Sequence, residues 1–392
     1  MTPLPITHYT LTSALGRGKA AHADALREGR GGLRNAAFEN CTLACWTGAV
    51  DGLETPLTGE MKDWDCRNNR LAELGLRQDG FLEAVTALRA RAGATRIGVF
   101  IGTSTAGVQQ TERAYRERDR AANQLPEWFD YRTSQNTYSV AGYVRQRLQL
   151  QSVAIAVSTA CSSSAKVFAC AARALATGLC DAAVVGGVDS LCLTTLHGFN
   201  ALQLVSPEPC RPADVARRGI SIGEAAGFAI LEKQGKGLLL RGYGESADAH
   251  HMSAPEPEGR GANEAMRAAL ARADLDTSAV DYVHLHGTAT PANDLAEDKA
   301  VCAVFGKSTP CSSTKGYFGH ALGAAGIVGA TVAMLVIEHG FLPHSLNTQS
   351  VDPAIKGAVL LKRREDASVR NVITNSFGFG GNNCSLIIGS AT

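Results

Sequence analysis

One stretch of the chain occurs twice. Ile97–Glu112 reads IGVFIGTSTAGVQQTE, and Tyr282–Glu297 reads YVHLHGTATPANDLAE. A shift of 185 residues (287 − 102) superposes Gly102 on Gly287, Thr103 on Thr288, Thr105 on Thr290 and Glu112 on Glu297. Each copy reads as a short apolar strand, a Gly/Thr turn and then a helix. A chain made of two such units must give each one a sheet that is covered on both faces, which restricts the fold more than any composition figure does.

The likeness continues downstream. In the first half an apolar strand, Val153–Val157, runs toward Cys161 and a small-residue helix, followed by LCDAAVVGGVDS and EAAGFAILEK. In the second half STKGYFGHALGAAG opens another small-residue helix ending at Gly340, and VITNSFG with NNCSLIIG closes the chain as a hairpin. The duplication divides near Gly235, giving units 1–235 and 236–392. Strands alternating with helices predict an α/β protein with mostly parallel sheets, and two such halves predict a layered α-β-α-β-α arrangement.

Charge separates some function classes. Lys and Arg number 38 against 37 Asp and Glu, spread along the chain, which argues against a nucleic-acid or polyanion binder. No uninterrupted apolar run approaches the ~20 residues of a membrane span, and Met1–Gly16 lacks a signal-peptide pattern, so a cytoplasmic protein without membrane attachment is expected. Several of the 11 cysteines lie in apolar stretches, as buried free thiols do. Cys41 and Cys45 lack a second ligand pair nearby, and no metal site is expected.

The two halves differ chemically. Where the second copy has His286, the first has Ile101. Cys161, in STACSSSAKVF, falls where a strand feeds a helix; there unpaired N–H groups and the helix dipole stabilise a thiolate or an oxyanion. His286 falls at the C-terminal end of a strand, the edge where parallel sheets place their sites. His284, two residues earlier, points to the opposite strand face and reads as structural. His320 precedes a helix whose Gly and Ala spacing permits close packing, and Lys315 lies five residues before it.

Together, Cys161 in TACSSSA, His286 in HGTATP, Lys315 and His320 in STKGYFGHALGAAG, and Phe377 in NSFGFGGNN resemble the β-ketoacyl-acyl carrier protein synthases. These are decarboxylating condensing enzymes of the thiolase superfamily. The stretches GFNALQLVSPEPCRPADVARRGISIGEAAGFAILE and LTSALGRGKAAHADALREGRGGL match the same family, so the resemblance covers essentially the whole chain. It implies a thiolase-like fold. The Cys-His-His set resembles the elongating branch, as against the initiating synthases, the thiolases and the chain length factors that lack the cysteine. CSSSA and GGNNCS resemble condensing enzymes of bacterial aryl-polyene pigment clusters; Asn382 stands where Thr is usual, and Arg218 where an acidic residue is common.

The resemblance also implies roles. Cys161 is the nucleophile that takes an acyl group from a carrier-protein thioester, and the N–H groups of Cys161 and Phe377 form the oxyanion hole. His286 and His320 stabilise the enolate left when malonyl thioester loses CO2, with Lys315 and Glu297 ordering the histidines. Thr288 and Thr290 meet the phosphopantetheine arm, and Phe199 and Phe377 gate the acyl pocket. Arg67 and Arg70, three apart on one helix face, are expected to dock the acidic acyl carrier protein. The implied partners are that carrier and a second chain, in a homodimer or in a heterodimer with a Cys-lacking homologue. No cofactor beyond the carrier's phosphopantetheine is implied. The alternatives are a thiolase acting on coenzyme A thioesters and a noncatalytic partner subunit.

Overall fold

The computed structural model describes residues 1–35, 38, 39 and 41–391. Its first half contributes β1 (Leu4–Ser13), β2 (Ile97–Gly102), β3 (Ala154–Val157), β4 (Ala182–Asp189) and β5 (Ala225–Glu232). The second half contributes β6 (Leu238–Ala247), β7 (Tyr282–His284), β8 (Pro310–Ser312), β9 (Asn371–Gly378) and β10 (Asn382–Gly389). In space the first set runs β3-β2-β4-β5-β1 and the second β8-β7-β9-β10-β6. β2 is parallel to β3 and β4, as β7 is to β8 and β9. The pairs β4–β5, β5–β1, β9–β10 and β10–β6 are antiparallel.

The topology is therefore duplicated strand for strand, and β2 and β7 begin at Ile97 and Tyr282, the same 185 residues apart that the motif shows. The mostly parallel expectation is corrected, since each half mixes parallel with antiparallel pairs. β1 also pairs antiparallel with β6, Leu4 opposite Leu240 and Ile6 opposite Leu238, which joins the halves edge to edge; among the described residues this makes one 12-stranded sheet that includes short strands.

Helices complete the layers. α1 (Arg67–Leu76), α2 (Phe81–Ala92) and α3 (Ser139–Arg147) cover the outer face of the first half, where Leu71, Phe81, Val85 and Val144 pack on Val99, Val184 and Phe228. α4 (Ser163–Ala176) leads away from the Cys161 turn, and α5 (Leu193–Ala201) follows β4. α6 (Arg260–Ala273) and α7 (Pro291–Phe305) cover the outer face of the second half through Met266, Ala269, Val301 and Val304.

Between the halves lie α4 and α8 (Ala325–His339), sharing one core with Leu11, Val185, Ala229 and Leu386. Their backbones nearly touch: a Cβ on Gly326 would lie 2.1 Å from the Ala165 nitrogen, so only glycine fits there. The Leu322–His339 segment corrects the reading of the apolar runs, because by length and composition it could cross a bilayer. It is 83% buried at the centre of the protein, and an all-round apolar helix is what a position between two sheets requires.

Candidate active site

Cys161 sits between β3 and α4, just after Ala160, whose left-handed φ of 51° makes the sharp turn. His286 lies two residues past the end of β7. His320 is fixed by its backbone, its N–H donating to the Ser221 carbonyl at 2.7 Å and its carbonyl accepting from Gly223 N at 3.0 Å. All three side chains are buried, yet they line one cavity. His320 Nε2 is 3.0 Å from Cys161 Sγ, and the two imidazoles meet edge to face at 5.3 Å. The donor atoms of the three residues lie within 4.8 Å of one another. Sγ and Nε2 are at hydrogen-bonding distance, closer than the ~3.5 Å that tetrahedral ligands at zinc-bond lengths would span.

Burial, reinforced by the nearby Lys315 charge, pushes both His286 and His320 well below the ordinary imidazole range, so both rings are neutral at pH 7. Leu322 N–H donates to His320 Nδ1 at 3.3 Å, which assigns the ring proton to Nε2, facing Cys161. Lys315 Nζ donates to the His286 carbonyl. The Glu297 carboxylate accepts from His286 N and Gly287 N, each at 2.7 Å, and from Asn375 Nδ2 at 3.2 Å. Burial drives Glu297 up to about 7 and lowers the Lys315 ammonium.

The expected helix-terminus effect on Cys161 is outweighed. Burial raises its thiol to about 11, while the Lys315 charge and N–H groups of Phe379 and Cys161 act the other way. Phe379 also corrects the oxyanion-hole assignment. The second backbone donor at the sulfur belongs to Phe379, in the turn beyond β9, whereas Phe377 lies within β9 and packs its ring on His286 at 6.0 Å. Phe199, on α5, pairs with Phe379 at 5.5 Å. The cavity, about 350 Å³, is further lined by Thr288, Thr290, Leu202, Leu204 and Ile220.

Two family models match this chain: the beta-ketoacyl synthase N-terminal domain over residues 73–236 and its C-terminal domain over 239–349. The chain belongs to the β-ketoacyl synthase family. It is a condensing acyltransferase with a thiolase-like fold. The synthase is 30% identical over 413 aligned positions to 3-oxoacyl-[acyl-carrier-protein] synthase 2 of Vibrio harveyi, covering 97% of each chain. Among solved structures it resembles the ketosynthase ApeO of Xenorhabdus doucetiae, in complex with its chain length factor ApeC. The TM-score there is 0.91 and the identity 35%, covering 100% of this chain and 98% of that one. It also resembles the ishigamide ketosynthase/chain length factor, with a TM-score of 0.88, 27% identity and 100% of both chains covered.

Elsewhere in the synthase the docking expectation for Arg67 and Arg70 is corrected. Arg67 makes a two-pronged bond to the fully buried Glu224, with Nε–Oε2 at 2.9 Å and Nη2–Oε1 at 2.6 Å. Arg70 is bound the same way to Asp65, with Nε–Oδ1 at 2.7 Å. Both guanidinium groups are mostly buried, because the helix face that carries them turns inward. His284 bridges Thr374 Oγ1 at 2.9 Å and Thr314 Oγ1 at 2.8 Å, tying β7 to its neighbours. Sequence reasoning missed Phe379 and Asn375. Phe379 had a signal, a large side chain in a run of glycines, where a donor N–H can be brought close to a ligand.

Proposed function

We propose that the synthase elongates an acyl chain by two carbons on Cys161, using malonyl groups delivered by acyl carrier protein. The Cys161 thiolate attacks the carrier's acyl thioester, forming the acyl–sulfur bond as the phosphopantetheine thiol leaves. Malonyl thioester then enters past Thr288 and Thr290. As CO2 departs, the electrons of the broken C–C bond pass to the thioester carbonyl, and a ring N–H of His286 and the Nε2–H of His320 hold the enolate oxygen. The enolate carbon attacks the acyl carbonyl, whose oxygen faces the N–H groups of Cys161 and Phe379, and the sulfur leaves. Lys315 and Glu297 hold the His286 backbone in place.

The single observation that carries this reading is a cysteine placed against two neutral imidazoles in one cavity. Neutral rings donate to a forming enolate without the cost of an extra buried charge. Retention of Cys161 favours the catalytic subunit over a noncatalytic partner, and the second histidine at 320 favours malonyl decarboxylation over a thiolase reaction.

A polyene or polyketide chain is the substrate class we favour, supported by the stretches CSSSA and GGNNCS, which resemble those of aryl-polyene condensing enzymes. We also propose pairing with a second chain through β3, an edge strand whose Ile155 is exposed. The relative solved in complex with its chain length factor supports a partner of that kind, and a second copy of this chain is the other arrangement we propose. A cytoplasmic location fits the 11 free cysteines. Incubation with acyl and malonyl carrier proteins, followed by intact mass of every protein, tests the reading. Acyl-loaded synthase and a carrier bearing the extended β-ketoacyl chain are expected; a carrier that keeps its malonyl group while the synthase stays unloaded would overturn it.

A further inference from the structure

The first-half copy of the repeated turn, Gly102–Thr105, carries no histidine and contributes nothing to the cavity lining. It is nevertheless organised around a single carboxylate. Asp189, the last residue of β4, is fully buried. It accepts from Thr103 Oγ1 at 2.6 Å, Ser104 N at 2.8 Å and Thr105 N and Oγ1, each at 2.9 Å. Ser104 Oγ and Gly323 N, both at 2.5 Å, complete the set. The last donor belongs to the other half of the protein, three residues after His320.

Two successive peptide N–H groups there have different tasks. Leu322 N–H meets His320 Nδ1, and the next one, Gly323 N–H, is anchored on Asp189. Leu322 itself has a left-handed φ of 48°, a conformation that leucine adopts only where its surroundings impose it.

We propose that Asp189 is a positioning residue for His320: by holding Gly323 it fixes the Leu322 peptide that keeps the His320 proton on Nε2. The repeat's histidine-free copy would thereby serve the site in the opposite half. The inference rests on the reading of His320 as an enolate donor. A role in activating the cysteine does not fit, because the Asp189 charge pushes the Cys161 thiol upward.

Two variants test this while keeping the Asp189 carboxylate itself. A Cβ on Gly323 would lie 2.7 Å from Asp189 Oδ2 and 2.7 Å from Ser104 N, so Gly323→Ala pushes the peptide off its anchor. Ser104→Ala removes a hydroxyl that donates to Asp189 and accepts from Gly323 N at 3.2 Å; should the first variant not fold, this one decides. In Gly323→Ala, malonyl-carrier decarboxylation is expected to fall about 10- to 100-fold, the scale of a small misplacement of a catalytic group. Acyl loading of Cys161 should stay within about twofold. Nitrogen NMR of labelled histidine, with the His320 signals identified by their loss in His320→Ala, should show its Nε2–H form depleted in both variants. An unchanged tautomer in both, or loading and decarboxylation falling in step, would overturn the proposal. Were the unmodified synthase unable to decarboxylate malonyl carrier protein, the functional reading would fail, while the NMR arm would still decide the positioning claim.

Discussion

Arg67→Met separates a fold-supporting arginine from a docking one. The substitution leaves the Glu224 carboxylate, fully buried, without its guanidinium partner. Breaking a buried ion pair from one side costs about 3–5 kcal/mol, against ~1 kcal/mol or less for an exposed pair. Glu224 still accepts from Val50 N at 2.8 Å and Leu191 N at 2.9 Å, so the lower end applies. About 3 kcal/mol corresponds to roughly a hundredfold change in the folding equilibrium. Urea unfolding should show that loss, and Glu224→Gln in the same chain should recover part of it. Turnover should fall equally, if at all, with carrier-bound and small pantetheine thioesters. Unchanged stability with a selective loss of the carrier-bound substrate would refute the reasoning and restore Arg67 to the docking surface.

Other consequences can be measured directly. Iodoacetamide should reach Cys161 through the cavity, and its rate should climb about tenfold per pH unit from pH 6 to 9, because burial holds the thiol near 11 and the thiolate fraction grows with pH; a plateau near pH 7 would contradict this. Glu297, raised by burial from 4.5 to about 7, binds more protons folded than unfolded between those values, so its contribution to stability declines as pH rises across that window and is constant above it. Urea titrations should show that slope, and Glu297→Gln should abolish it. Light scattering should give twice the mass of one chain, or of a chain plus homologue; a monomer in a fully active sample would rule out pairing through β3.

The duplicated architecture was legible because the strand and turn of each copy obey the same local rules, so a fixed shift exposes them. Cys161, His286 and His320 were legible for a related reason, lying where strands or turns deliver side chains to one edge. Side-chain environment was less legible. Arg67 and Arg70 share a helix face as their spacing dictates, but only the packing shows that this face meets Glu224 and Asp65. The rise of the Cys161 thiol likewise comes from burial that no local motif encodes. Phe377 and Phe379 differ by two residues in a glycine-rich run, and only the place where β9 ends tells which N–H faces the sulfur.

The central claim is that Cys161 carries the acyl group while His286 and His320 act together on the malonyl enolate. Comparing acyl loading with CO2 release in His286→Ala, His320→Ala and the double variant tests it most directly. Loading should persist, while each single change slows CO2 release by about 10² or more, the usual cost of losing one oxyanion donor. A double variant that releases CO2 at the unmodified rate would contradict the account.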